Sequence, residues 1–464
     1  MKPNNKKNGS LNIGRIHAAY KLLLFEFEHK NVQSRKANSS YNFQHLQKNI
    51  TLLELSSTDA SLSNYLYKGI CRYLGSIDQL ISLYSQIPLE KIHEVALTAL
   101  RIGIFSICKT RSPNHSSVHQ AVELCSYFKE KRLTSFVNAI LRTILRKNAN
   151  INENISENIP KDLYQKILID TNDVSKIDDW LAKLQDESPT CIVYKKATDD
   201  TIQKTPLFDD QSHTIFQVHE KNNPKNWQGY NDGLWWVQDR SAYMSIFQTL
   251  QKYIDIYGSI QNTSVLDMCA APGGKSFLAL EKGCKVFACD VSQSRIDTLY
   301  QNIERLQFDK KQIFTKVMDW LEDDLPIQDY HKYLNRCFIQ NDIQLTNHTS
   351  DDITFDIVIL DAPCSSSGLI RRHPEIRWLL SQQAIQKNAY IQQCMLQKAQ
   401  HYVREGGILL YAVCSVFLEE GQKMVGNFLN SSDIVDSWTL LDYQISSPPI
   451  GDEDGFQSFV LQKK

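Results

Sequence analysis

The sequence contains no run of eighteen or more apolar residues, and no two of its eleven cysteines are spaced as Cys-x-x-Cys. A membrane-spanning helix needs about 20 mostly apolar residues, so we expect no membrane segment. The cysteine spacing favours neither a zinc ribbon nor a disulfide framework. The basic start, MKPNNKKNGSLNIGR, lacks the apolar core of a secretory signal. We therefore expect a cytoplasmic protein with reduced thiols and no metal site. Nothing resembles a coiled coil, so we expect a monomer.

Charge is divided unevenly along the 464 residues, although the net charge is only −1. Residues 1–150 contain 21 Lys and Arg against 9 Asp and Glu, whereas the rest of the chain contains 30 against 43. A basic module on a mildly acidic body favours a polyanionic partner, and nucleic acid in particular, over a solvated basic surface. The chain is also too long for a single core, so several domains are expected.

Hydrophobic spacing predicts three domains. Residues 10–150 have helical periodicity, as in Ile92, Val95, Ala99 and Ile102, and predict an all-α bundle. Residues 151–235 are predicted to be a linker and a small α+β connector, and the candidate linker is the polar, Asn-rich segment at 148–159. That connector is predicted to contain helices near 162–170 and 174–186 and strands at 191–194 and 214–218. Residues 236–464 alternate strand and helix, which predicts a doubly wound α/β domain.

The α/β domain is organised around residues 264–276, SVLDMCAAPGGKS. This stretch predicts a buried strand, a glycine-rich turn and the start of a helix. Small residues let a backbone approach a ligand closely, and a helix amino end offers free N–H groups. Such a turn alone is more often plain structure than a cofactor cradle, so the later strands decide its meaning.

Acids follow the next two predicted strands. The later strands of this sheet are predicted at residues 285–289, 313–318, 355–360 and 407–412, with an edge strand at 456–462 and a polar surface loop at 327–352. Asp290 and Asp319 follow the second and third strands, at the edge where an open parallel sheet binds ligands. Asp290 could accept hydrogen bonds from ribose hydroxyls or could cap the next helix. Asp319 could contact an adenine amine or could stabilise a turn. An adenosine-containing cofactor would explain both.

Two cysteines follow the fourth and fifth strands. Cys364 and Cys414 each come just after an apolar strand, and Asp361 lies three residues before Cys364. Two thiols at one crevice favour chemistry over packing. A thiolate that adds to C6 of cytosine makes C5 nucleophilic, and C5 can then take an electrophilic methyl group. The base must be unstacked to be reached. This chemistry does not decide which thiol attacks.

At these residues the sequence resembles a known family. The motifs are DMCAAPGGK at residues 267–275, FDIVILDAPCSSSGLIRRHPEIRW at 355–378 and GGILLYAVCSV at 406–416. Together they resemble the bacterial Sun/Fmu-type 16S ribosomal RNA (cytosine-5) methyltransferases of the NOL/NOP/Sun family. The basic helical region, with SFVNAILRTILRK at 135–147, resembles the NusB-like RNA-binding domain of that subfamily.

The resemblance implies a Rossmann-like methyltransferase domain that uses S-adenosylmethionine and modifies C5 of a cytosine in 16S ribosomal RNA. It implies that Cys414 is the nucleophile, that Cys364 assists product release and that Asp361 also touches the cytosine. The residues implied to bind the cofactor are Cys269, Ala270, Ala271, Pro272, Gly273, Gly274, Lys275, Asp290, Asp319 and Asp361. The segment after Cys364 supplies basic residues suited to RNA phosphates, or else a solvated basic loop: Arg371, Arg372, His373 and Arg377.

The sequence departs from the family pattern at two positions beside the thiols. Val413 stands where the family usually has Thr, and Ser366 stands where it usually has Ala or Gly. Two alternative functions are an RNA-binding or antitermination-like module that has lost catalysis, and a DNA cytosine methyltransferase. The retained thiols and cofactor loop argue against the first alternative. Cys414 and the basic helical region argue against the second.

Overall fold

The computed structural model describes residues 11–32, 43–171, 174–195, 202, 204–209, 213–219, 223–338, 353–431, 436–446 and 453–464. The chain divides into two compact units. The helical unit comprises Met1–Lys166, Leu181–Asp186 and Ile370–Ser381, and the sheet unit comprises Ile167–Trp180, Glu187–Leu369 and Gln382–Lys464. The three-domain division of the sequence, with boundaries at 150 and 235, stays a prediction.

The helical unit is built from amphipathic helices around one core. The helices of residues 11–146 are α1 (Ile13–Val32), α2 (Phe43–Leu52), α3 (Ser57–Arg72), α4 (Leu74–Tyr84), α5 (Glu94–Lys109), α6 (Asn114–Tyr127) and α7 (Thr134–Arg146). Helix α5 is the central one and is buried on nearly every side, from Val95 to Ser106. Helix α7 buries one face, with Val137, Ile140 and Ile144, and exposes the opposite basic face. The predicted all-α bundle is confirmed.

The Asn-rich segment at 148–159 packs within the helical unit, so its prediction as a linker is wrong. Asn158 is fully buried. Its amide donates to Ser76 Oγ at 2.9 Å and to the carbonyls of Asn152 and Asn154, and its Oδ1 accepts from Ser76 N at 3.1 Å. A polar side chain tolerates this burial because each donor and acceptor is paired.

The segment Ile370–Ser381, which contains α14 (Ile376–Leu379), also belongs to the helical unit. Arg377 is fully buried and donates to the carbonyls of Asn158 at 2.9 Å and Leu184 at 3.0 Å. Burial lowers the pKa of Arg377 to about 9. The neighbouring Trp378 Nε1 donates to the carbonyl of Cys71 at 2.7 Å. Arg377 is therefore a packing residue, and its prediction as a phosphate ligand is wrong.

Two helices and a small antiparallel sheet occupy the predicted connector. Helices α8 (Lys161–Thr171) and α9 (Val174–Lys183) precede β1 (Thr190–Tyr194), β2 (Lys204–Asp209), β3 (Thr214–Val218) and β4 (Trp235–Val237). The strand order is β2-β3-β1-β4. Strand β1 pairs antiparallel with β3 and with β4. The predicted helices and strands of this region are confirmed.

The main sheet has seven strands and carries the motifs. Its elements are α10 (Arg240–Tyr257), β5 (Ser264–Asp267), α11 (Gly274–Glu281), β6 (Lys285–Asp290), α12 (Gln293–Arg305), β7 (Ile313–Val317), α13 (Ile327–Cys337), β8 (Phe355–Asp361), α15 (Gln382–Ala399), β9 (Val403–Val413), α16 (Gln422–Leu429), β10 (Trp438–Ser446) and β11 (Phe456–Lys463). The order is β10-β11-β9-β8-β5-β6-β7. Strands β7, β6, β5, β8 and β9 are parallel, so their carboxyl ends meet at one edge.

The sheet differs from the prediction at two places. Strand β11 is not an edge strand, because it lies between β9 and β10 and pairs antiparallel with both. The edge is β10, which the sequence did not predict because its alternation is weak and exposed. The predicted loop at 327–352 begins with helix α13, whose buried face carries Tyr330 and Tyr333. Residues 339–352 of that predicted loop lie outside the described residues. Among the described residues, the search for a helix long and apolar enough to cross a membrane found none.

Candidate active site

The loop between β5 and α11 brings backbone to the carboxyl edge of the sheet. Gly273 has φ +122°, and a Cβ there would lie 2.1 Å from the Phe277 ring. At Gly274 a Cβ would lie 2.9 Å from the Gln238 carboxamide. Gly273 therefore needs glycine, Gly274 leaves little room for a Cβ, and Gly274 opens a helix whose first N–H groups can bind a ligand. This loop fits a group that must lie close to the backbone.

Asp267 lies at the carboxyl end of β5, beneath that loop. The side chain is buried and accepts a hydrogen bond from Ser276 Oγ at 2.6 Å. Burial raises the pKa of Asp267 to about 7, although the Ser276 hydrogen bond opposes the shift. Asp267 is not among the site residues predicted from the sequence. The rule that singled out Asp290 and Asp319, an acid at the end of a parallel strand, applies to Asp267 as well.

Asp290 and Asp319 follow β6 and β7 as predicted, and both already have structural partners. Asp290 is 2% exposed. Its Oδ1 accepts from Ser292 N at 3.1 Å, and its Oδ2 lies 3.2 Å from Nη1 of Arg295. The Arg295 guanidinium also donates to the carbonyl of Ala271 in the glycine-rich loop. Asp319 Oδ1 accepts from Leu321 N at 3.0 Å, as in a turn. Both acids therefore stabilise turns, Asp290 does not cap α12, and the ribose and adenine contacts stay predictions.

Lys275 joins the glycine-rich loop to strand β8. Its Nζ lies 2.5 Å from Oδ2 of Asp361, the last residue of β8. The lysine side chain is 7% exposed, whereas the Asp361 side chain is 36% exposed. The pair thus has a buried cation and a carboxylate that still faces the crevice. This ion pair links a residue of the cofactor loop directly to the segment that leads to Cys364.

The two thiols lie side by side. Strands β8 and β9 are parallel neighbours, with Asp361 opposite Ala412, so the residues that follow them converge. The Sγ atoms of Cys364 and Cys414 are 3.3 Å apart. Their hydrogen bond raises the pKa of Cys364 well above its ordinary value, and burial adds to the rise. The same hydrogen bond lowers the pKa of Cys414, against burial. These opposite shifts favour Cys364 as the proton donor of the pair and Cys414 as the thiol that ionises first.

Ser366 and Glu420 complete the surroundings of the thiols. Ser366 has φ +54°, and its Oγ lies 3.7 Å from Cys414 Sγ, a contact that lowers the pKa of Cys414 further. Glu420 is fully buried and accepts hydrogen bonds from Ser365 and Ser415, the residues that follow the two cysteines. The sequence analysis missed Glu420, because an acid in a loop after a strand motif has no distinguishing pattern.

Residues 259–454 match the family described as 16S rRNA methyltransferase RsmB/F, and residues 14–146 match the NusB family. The first match spans most of the sheet unit's motifs, and the second spans the helices α1 to α7. The expected family and its NusB-like helical domain are thus confirmed. S-adenosylmethionine is the cofactor of this methyltransferase domain, and the glycine-rich loop has the close-approach geometry that such a group requires.

Curated relatives match this chain over most of its length. Ribosomal RNA small subunit methyltransferase B of Proteus mirabilis is 26% identical over 434 residues, which are 90% of this chain and 93% of that protein. The protein of the same name from Yersinia pseudotuberculosis is 27% identical over 404 residues, 83% of this chain and 84% of the relative. The crystal structure of PH0851 is similar in fold, with a TM-score of 0.68 and 18% identity, and covers 98% of this chain and all of that one.

Proposed function

We propose that this chain transfers a methyl group from S-adenosylmethionine to C5 of one cytosine in 16S ribosomal RNA, through a covalent bond between Cys414 and C6. The observation that carries the proposal is the thiol pair at the carboxyl edge of the sheet, 3.3 Å apart with opposite pKa shifts. A methyl transfer to an oxygen or an exocyclic nitrogen has no need of a thiolate beside a protonated thiol. Carbon-5 of a cytosine does need a thiolate, because it becomes nucleophilic only when a nucleophile adds to C6 and breaks the C5–C6 double bond.

In the proposed reaction, each bond that forms is matched by a bond that breaks. The Cys414 thiolate adds to C6, and the electron pair of the C5–C6 double bond moves into the ring and leaves C5 nucleophilic. Bound S-adenosylmethionine would supply an electrophilic methyl group for C5, and S-adenosylhomocysteine would leave with the electron pair of the broken carbon–sulfur bond. Loss of the C5 proton to a base then returns an electron pair, the Cys414–C6 bond breaks, and the thiolate leaves the methylated ring. No oxidant or reductant is needed.

Cys364 and Asp361 act on either side of this adduct. Cys364 holds a proton beside the nucleophile, and we assign it to the release of the thioether. Asp361 is partly exposed and fixed by Lys275, so its free oxygen can hydrogen-bond the polar edge of the cytosine. The proposed cofactor contacts come from residues 269–275 and from Asp290, Asp319 and Asp361.

Ribosomal RNA is the proposed substrate because of the relatives' names and the charge of the helical unit. The exposed basic residues in and beside α7 are Lys129, Lys131, Arg132, Arg142, Arg146 and Lys147. Such side chains neutralise phosphates and supply affinity without sequence selectivity. The target cytosine must leave its stack to reach the thiols, so a single-stranded or flipped nucleotide is proposed. The roles of Arg371, Arg372 and His373 on phosphates stay part of this proposal.

A covalent trap tests the proposal. Cys364→Ala protein, incubated with 16S ribosomal RNA and S-adenosylmethionine and run on a denaturing gel, should form a slow protein–RNA band because release is impaired. The matched control is Cys269→Ala, which removes a thiol of the cofactor loop and should not accumulate the band. The band should disappear in the Cys364→Ala/Cys414→Ala double variant.

Other outcomes separate the alternatives. A stable band with Cys414→Ala, but none with Cys364→Ala, would reverse the two thiol roles, as expected for an enzyme of the DNA-methyltransferase type. Absence of a band in every variant, together with no methyl transfer by the unmodified chain, would contradict the proposal and favour an RNA-binding module.

A further inference from the structure

The carboxylate of Glu420 lies behind the thiol pair and joins the backbone that follows both cysteines. We propose that Glu420 is a positioning residue, which fixes the two thiols against each other and keeps their shared proton on Cys364. This inference deepens the proposed function and rests on it, since it concerns the same thiol pair. Glu420 itself lies away from the crevice and is fully buried.

Both oxygens of Glu420 are used, and each cysteine loop is attached to one or both of them. Oε1 accepts from Ser365 N at 2.7 Å. Oε2 accepts from Ser365 Oγ and from Ser415 Oγ, each at 2.5 Å. Ser365 follows Cys364, and Ser415 follows Cys414. One carboxylate therefore connects two chain segments that are fifty residues apart in sequence, at the place where their thiols meet.

Further hydrogen bonds hold Glu420 and the two cysteine loops in place. Gln392 of helix α15 donates to Oε1 of Glu420 at 3.3 Å and to the carbonyl of Pro363 at 2.9 Å. The Tyr411 hydroxyl donates to the backbone carbonyl of Glu420 at 2.6 Å. The Oγ atoms of Ser367 and Ser415 are 3.0 Å apart and add a direct link between the loops. A side chain held from this many directions has one orientation, as a positioning residue requires.

The charge of Glu420 also acts on one thiol more than on the other. The groups that donate to it are hydroxyls and amides, which are neutral, so its negative charge is hydrogen-bonded but not cancelled. This charge adds to the rise in the pKa of Cys364, after the thiol hydrogen bond, burial and the charge of Cys414, whereas the pKa of Cys414 is lowered. A protonated Cys364 is the donor that stabilises a Cys414 thiolate.

Glu420→Gln removes the charge with little change of shape. The amide oxygen can replace Oε1 opposite the Ser365 N–H, and the amide NH₂ can face the two serine hydroxyls, which rotate to accept. The matched control is Glu419→Gln, which removes the same charge one residue earlier, where the side chain is half-buried. Alkylation of each thiol by iodoacetamide, followed by mass spectrometry of the peptides across a pH series, reports both thiols without RNA or cofactor.

The expected result is that Cys414 reacts faster than Cys364 in the unmodified chain and in Glu419→Gln. In Glu420→Gln the ratio of the two rates should fall on the order of tenfold at a fixed pH, which is the change that one pKa unit produces in a thiolate fraction. An unchanged ratio and an unchanged pH profile in folded Glu420→Gln would overturn the proposal, whatever the melting temperature does, because a purely structural role alters stability alone.

Ser415→Ala is the second variant if Glu420→Gln does not fold. It keeps the charge and cuts one attachment, so the Cys414 pH profile should move toward that of an ordinary thiol. A profile identical to that of the unmodified chain would overturn the proposal. With 16S ribosomal RNA, either variant should lower kcat and leave the KM for S-adenosylmethionine unchanged. If the ratio of the two alkylation rates shifts but the chain forms no RNA adduct, the positioning role is supported and the proposed function is rejected. If the chain forms the adduct but the ratio does not shift, the proposed function is supported and the positioning role is rejected.

Discussion

The ammonium of Lys275 lies 2.5 Å from the carboxylate of Asp361 and is nearly buried, whereas the carboxylate is partly exposed. The first turn of α11 is thus tied to the end of β8, and the cofactor loop is tied to the strand that leads to Cys364. Lys275 and Asp361 therefore have different roles. The lysine fixes the acid, and the acid keeps one oxygen for a ligand.

Lys275→Met should weaken both cofactor affinity and catalysis, because Asp361 loses its fixed orientation and its nearest cation. We expect kcat/KM to fall by about 10- to 100-fold, the range for losing a hydrogen bond to a charged group. Titration calorimetry with S-adenosylmethionine and a methyl-transfer assay measure the two effects. Lys282→Met, just after the same helix, is the control and should change neither. Unaltered binding and turnover in Lys275→Met would contradict the assigned role.

Gly368→Ala should destabilise the sheet unit by several kcal/mol, on the order of 2–4, as overpacking against fixed backbone does. A Cβ at Gly368 would lie 1.9 Å from the carbonyl oxygen of Gly455, and Gly368 N donates to the carbonyl of Cys414 at 3.0 Å. The catalytic loop must therefore shift, and methyl transfer should fall with stability. Chemical denaturation measures the change in the free energy of unfolding.

The matched control for that substitution is Gly426→Ala in α16, where an added Cβ meets nothing within 4 Å. Alanine in an exposed helix interior stabilises by roughly 0.5–1 kcal/mol relative to glycine. Equal effects of Ala at Gly368 and Gly426 would show that the backbone contact at Gly368 relaxes without cost.

Ser366 has an unfavourable backbone conformation, but its hydroxyl contacts the Cys414 thiol. Two variants separate the effect of the conformation from that of the contact. Because its φ is +54°, Ser366→Gly should be more stable than Ser366→Ala by about 1 kcal/mol. Both variants lose the hydroxyl that lies 3.7 Å from Cys414 Sγ, so both should raise the pKa of Cys414. Thermal denaturation gives the first difference and the pH profile of Cys414 alkylation gives the second. Identical stabilities would rule out strain at this position.

Asp267 predicts a pH dependence of stability. Its pKa in the folded chain is about 7, above the ordinary aspartate value of 3.8, so the folded state binds the proton more tightly. The stabilisation from this group is fully present below about pH 4 and is lost as the pH rises to about 7. The loss amounts to a few kcal/mol, about 1.4 for each pKa unit.

Asp267→Asn lacks that titration and can keep the Ser276 hydrogen bond. The free energy of unfolding of the unmodified chain minus that of Asp267→Asn should therefore become less favourable between pH 4 and pH 7. Denaturant titrations at several pH values measure this difference, in which other titrating groups cancel. A difference that stays constant or grows with pH would mean that the carboxyl remains ionised in the folded chain.

The sequence by itself determined the elements whose causes are local. Residues 264–276 contain strand, turn and helix signals in order, and the structure has β5, the glycine turn and α11 there. The buried strands β6 and β8 are short apolar runs, so their positions followed from composition and spacing, whereas β9 begins at Val403, four residues before its predicted start. The motifs at their ends placed Cys364, Cys414 and Asp361 at one edge, because parallel strands bring their carboxyl ends together.

The tertiary structure alone decided what depends on partners far away in the chain. Asn158 and Arg377 look like a linker residue and a surface cation, yet both are buried because carbonyls and hydroxyls of other segments satisfy them. Pairing with β9 and β10 makes β11 an interior strand. The 3.3 Å separation of the two thiols and the Glu420 contacts behind them come from segments fifty residues apart. The spacing of residues along the chain does not give these distances, because the packing of distant segments sets them.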